Sequence, residues 1–119
     1  MAVDDYDVIV YKVLLYLYGC MKRKIVFDET VFYAEINKKM IADEYFADVL
    51  YFMKSEGLID NVTITTAWGK TRVIASDLKN MEITVSGIRY LKEDSMMQKI
   101  KDNLSGVPGI VAELISLVF

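Results

Sequence analysis

Along the first twenty residues the apolar positions Ile9, Val13, Leu17 and Cys20 recur at spacings of four, four and three, and Val10, Leu14 and Tyr18 run in a parallel row. That period is helical. Asp4 or Asp5 stands where a cap would, and Gly19 punctuates the end. Tyr6, Tyr11 and Tyr16 thin the polar side, so this helix is expected to need more than one neighbour. A basic turn, Met21 to Lys24, leads to Ile25-Val26-Phe27, which suits a short strand, and to a helical segment from Asp28 to about Lys39. In that segment Val31, Ile36 and Met40 are the expected inward positions.

The next helix is drawn more sharply. Asp43 is its expected cap, Phe46, Val49, Leu50 and Met53 form its stripe, and Gly57 suits the left-handed position after its end. Leu58 and Ile59 then begin extended structure. Val62 to Thr66 and Thr71 to Ile74 are rich in β-branched residues and flank Ala67-Trp68-Gly69-Lys70, the pattern of a β-hairpin turning at Gly69. Thr84 is placed as the cap of a helix running through Leu91, stapled by Ile83 and Ile88. Ser95 with Gln98 reads as a capping box for a further helix carrying Met96, Ile100 and Leu104, which Ser105-Gly106 ends. Pro108 opens the last stripe, Ile110, Val111, Leu114, Ile115 and Val118.

This order predicts a mostly helical α+β chain: a winged helix-turn-helix with a β-hairpin wing and additional C-terminal helices. Residues 1–104 would form the winged-helix domain. Residues 105–119 would form an apolar helix that packs back or dimerises.

Composition narrows the chemistry. The 119 residues hold no His and one Cys, Cys20, which excludes His-based triads, zinc sites of the Cys/His type and internal disulfides. The adjacent carboxylates Asp4-Asp5, Asp28-Glu29 and Glu93-Asp94 fall at helix starts or turns. No enzymatic role, metal or cofactor is therefore expected. The start is acidic rather than basic and Lys12 interrupts the apolar run from Val8 to Cys20, so neither a secretory signal nor a membrane span is expected and the cytoplasm is the expected location.

A resemblance adds to this reading. Asp43 to Ile59 and Met81 to Leu104, the latter through Ile83-Thr84, Gly87, Tyr90-Leu91 and Ser95-Met96-Met97, resemble the YjcQ-like winged-helix family of small bacterial and phage proteins. In element order the resemblance runs from about Tyr6 to Leu104, and the tail from Val107 to Phe119 departs from it. It implies the fold and a bacterial or phage setting. It brings no activity and no catalytic residues.

Two functions from different classes fit. One is a phage- or prophage-related transcriptional regulator that grips double-stranded DNA through backbone contacts, with Lys38, Lys39, Lys54, Trp68, Lys70 and Arg72 as candidate residues. The chain carries 14 basic and 17 acidic residues, a net charge of -3, so any basic surface must be local. The expected recognition helix, Asp43 to Glu56, has four acidic residues against Lys54, and its outer side would show Glu44, Asp48, Tyr51 and Ser55. The other function is therefore a non-enzymatic protein-protein interaction module that binds no DNA. Trp68 is either an exposed anchor or a ring folded back on the sheet. The tail stripe must be covered too, either within the chain or in a homodimer through Val10, Leu14, Ile110, Leu114 and Val118.

Overall fold

The first helix, α1 (Tyr6–Met21), has no polar face wide enough to meet water, and the fold is arranged around it. In the computed structural model, which describes residues 1–119, every residue from Val8 to Leu17 is buried, Lys12 included. Around α1 stand α3 (Asp43–Ser55), α4 (Val85–Glu93), α5 (Ser95–Ser105) and α6 (Ile110–Val118). Its need for several neighbours, read from the sequence, is met within the one chain.

Between α1 and α3 lies α2 (Glu29–Glu35), capped by the Asp28 carboxylate, which accepts from the Val31 N–H at 3.1 Å. That start fixes the helix phase. Phe32, Glu35 and Ile36 turn inward, whereas Val31 and Met40, expected inside, are exposed. Asn37, at φ 57°, reverses the chain into a 3-10 turn over Lys38–Met40. No strand forms at Ile25-Val26-Phe27: Ile25 and Phe27 are half-buried against the core, Val26 is exposed, and none of the strands pairs with the segment.

Helix α3 buries Phe46, Val49, Leu50 and Met53 as its spacing predicts and ends at Gly57 with φ 74°. Its cap position belongs to Ala42, however, and Asp43 lies in the first turn, paired with Lys38. Four short strands follow: β1 (Ile59–Asp60), β2 (Ile64–Thr66), β3 (Arg72–Ile74) and β4 (Glu82–Ile83). Strands β2 and β3 make the expected antiparallel hairpin, with Gly69 at φ 69° in its tip. Strands β1 and β4 form a second antiparallel pair, Ile59 opposite Ile83, that closes the segment carrying the hairpin.

Thr84 caps α4 as expected, accepting from Gly87 N–H at 2.9 Å while its hydroxyl donates to the Gly57 carbonyl at 2.6 Å. Gly87 must lack a side chain, since a Cβ there would lie 2.2 Å from the Leu58 carbonyl oxygen. Two further expectations need correction. Asp94, not a Ser95/Gln98 box, caps α5: its carboxylate accepts from Met96 and Met97, while Gln98 donates to the Leu91 and Lys92 carbonyls. A carboxylate one residue earlier reaches two N–H groups, which leaves Ser95 nothing to cap. Pro108 lies outside α6, whose cap position is Gly109 at φ 150°.

Helix α6 lies on α1 and α5 with Leu114, Ile115 and Val118 buried. Lys22 Nζ donates to the Val118 carbonyl at 2.6 Å, and the Phe119 ring lies 5.9 Å from Tyr18 and 4.4 Å from Lys101 Nζ. The tail thus covers α1 within the chain.

Candidate functional site

The hairpin leans on the outer side of α3, and Arg72 makes the joint. Its guanidinium is 3.0 Å from the Asp48 carboxylate, 3.9 Å from the Tyr51 ring centre and 5.4 Å from that of Phe52. An Arg held between a carboxylate and an aromatic face is favourable on both counts. Phe52 in turn lies 5.8 Å from Tyr51 and 6.4 Å from Tyr6, which enters from the start of α1. Tyr6, Tyr51 and Phe52 are 37%, 38% and 44% exposed, so the cluster is a surface and not a core. Partial burial, with Asp7 and Glu56 nearby, raises the Tyr6 hydroxyl above its ordinary pKa.

The basic residues expected to touch DNA fare unequally. Lys38 is held by Asp43 and the Ile41 carbonyl, and Lys54 donates to the Val62 carbonyl at 2.7 Å. Arg72 is occupied as described. Lys39 and Lys70 are exposed and take part in none of the three salt bridges, and Lys70 sits in the hairpin tip at φ 66°. Trp68 is 97% exposed, so its ring is not folded back on the sheet. Of the five residues considered for a dimer contact, Val10, Leu14, Leu114 and Val118 are buried inside the single chain and Ile110 is half-buried. Those four side chains offer no free surface to a second copy.

Neither Phe52 nor Tyr6 was among the candidate site residues read from the sequence. Their signal was present in Phe52: it is a large apolar residue off the stripe of Phe46, Val49, Leu50 and Met53, which places it on the outer side of α3.

A second polar group is buried in the core between α1 and α2. Glu35 is fully buried and its carboxyl oxygens have no hydrogen-bond partner in the chain, nor has the buried Tyr11 hydroxyl. Lys12, also buried, donates to Asn37 Oδ1 at 3.3 Å. Burial raises the Glu35 pKa well above the carboxylate range, with Lys12 opposing, and burial lowers that of Lys12, with Glu35 opposing.

The profile of the YjcQ protein family matches residues 11–107, from the first turns of α1 to just past α5. The chain belongs to the YjcQ family. No curated protein and no solved structure matches it. In this YjcQ protein the aromatic face on α3 and the hairpin lie within the family's span, apart from Tyr6, and α6 lies outside it.

Proposed function

We propose that this YjcQ-family chain is a winged-helix protein-interaction module that binds a protein partner through the outer side of α3 and the hairpin. The order α1, α2, α3 and hairpin is that of a winged helix, with α3 in the recognition position. What carries the reading is the composition of the face: Tyr51 and Phe52 half-exposed against a stacked Arg72, Tyr6 beside Phe52, and Trp68 exposed at the hairpin tip. Aromatic residues and Arg are the side chains that dominate protein interfaces, because they bury large area at low entropic cost. A helix meeting the major groove instead needs donors and positive charge, and α3 presents Asp43, Glu44 and Asp48.

The second reading is a DNA-binding regulator of the phage or prophage kind. It is favoured by Lys39 and Lys70, which are exposed and unpaired, beside an exposed Trp68. Two lysines supply a small share of the phosphate contacts that hold a specific complex.

A photo-crosslinking residue replacing Phe52, expressed in the native cell, tests the first reading. The expected product is a protein adduct of discrete mass that is absent when the crosslinker replaces Glu113 on α6. Adducts to nucleic acid, or an identical pattern from both positions, would overturn it.

A further inference from the structure

A sizeable cleft lies on none of these surfaces. It opens where the end of α1, the loop from Met21 to Phe27 and the β1/β4 pair meet, and encloses about 840 Å³, a volume within the range of small-molecule sites. Its floor is apolar, with Leu17, Met81 and Ile83 buried and Ile25 and Phe27 half-buried. Its rim carries Arg23 and Lys79, the amides of Asn61 and Asn80, and one carboxylate, Glu82.

Arg23 is the informative residue. It occupies the position after the end of α1 where the chain must turn left-handed, with φ 62°, and its N–H closes on the Cys20 carbonyl at 3.1 Å. Glycine adopts that conformation without strain, whereas a residue with a Cβ meets a steric cost there. Strain of this kind clusters at ligand and functional sites. The guanidinium here enters none of the salt bridges of the chain, although it is exposed at the cleft mouth. Asn61, also on the rim, is left-handed too, at φ 58°. Lys79 is held only at 3.7 Å by Asp77, both side chains being more than half exposed.

We infer that this cleft binds a small amphipathic carboxylate, its apolar body on the floor of Leu17, Phe27 and Ile83 and its carboxylate paired with Arg23. An apolar floor selects a hydrocarbon or aromatic body. Two cations against one carboxylate on the rim select a negative head, and the forked guanidinium matches the two oxygens of a carboxylate. The site is separate from the α3 face, so it stands whether that face meets protein or DNA.

Sodium octanoate is the probe, titrated into the full chain with the Ile25 and Ile83 methyl groups followed by NMR. The expected result is saturable shifts at those two methyls with a Kd below about 1 mM. Octylammonium and 1-octanol should bind more weakly than octanoate. Arg23→Gly removes the guanidinium while relieving the backbone, so the variant should unfold at the same temperature as the wild type or higher. It should bind octanoate about tenfold more weakly, the loss expected for one charge-assisted contact. Absence of saturable shifts, equal binding of the three probes, or undiminished binding by a folded Arg23→Gly would each overturn the assignment.

Discussion

Glu35 is the residue whose environment is least compatible with its usual charge. A wholly buried carboxyl without a hydrogen-bond partner is far costlier ionised than neutral, and Lys12 offsets only part of that cost. The folded chain therefore holds the Glu35 proton more tightly than the unfolded chain, whose value is near 4.5. Stability from this group is complete below that value and is lost as pH rises through the folded value. Lys12 works in the opposite sense at the alkaline end. Its folded value lies below 10.5, so the stability of its neutral form is present above 10.5 and is lost as pH falls through the folded value. Replacing Glu35 by Gln keeps the shape and removes the titration. The difference in unfolding free energy between Glu35→Gln and wild type, measured in urea, should move in favour of the variant as pH rises from about 5 to about 8. A difference that stays constant with pH would show that Glu35 is not held neutral. Nothing in the sequence marked Glu35, because a Glu in a short helix with a blurred stripe gives no sign of which way it points.

At the scale of elements, legibility followed length. Helices α1 and α3 span 16 and 13 residues and repeat their apolar stripe several times, so their existence and faces were readable in advance. The seven residues of α2 complete barely two turns, and its phase was decided by Asp28, a cap whose effect could be read only once the helix start was known. Strands β1 and β4 are two residues each, too short to show an alternation, and they sit beside the close approach of Gly87 to the Leu58 carbonyl. For α6 the stripe was plain while its destination was open. With Leu114 and Val118 buried against the rest of the chain, Leu114→Asp places a carboxylate in the α1/α6 contact and should lower stability on the order of 3–5 kcal/mol. The mass in light scattering should match that of the wild type. A folded Leu114→Asp chain at half the wild-type mass would show instead that this stripe holds two copies together.

The whole molecule has a Cα radius of gyration of 13.5 Å, the value of about 2.2·N^0.38 Å that a closed single unit of this length follows. No helix is long and apolar enough to cross a membrane. Its candidate site was legible in parts. The acidic outer side of α3 and the hairpin could be placed from the sequence, and so could Arg72 and Trp68. What they do to one another could not, since the pairing of Arg72 with Asp48 and Tyr51 joins residues more than twenty positions apart. That pairing changes the function assigned to the face, because it spends on the fold the one guanidinium that a wing would offer to phosphate. It also leaves an aromatic, acidic surface where a groove-binding protein is basic.

A fluorescent random DNA duplex titrated with the chain at low salt measures this most directly, because non-specific phosphate contact is strongest there. The account predicts no saturable binding up to tens of micromolar protein, about the range in which weak non-specific binders already associate. Saturable binding that weakens as salt is added, and that Lys39→Ala with Lys70→Ala abolishes, would contradict it.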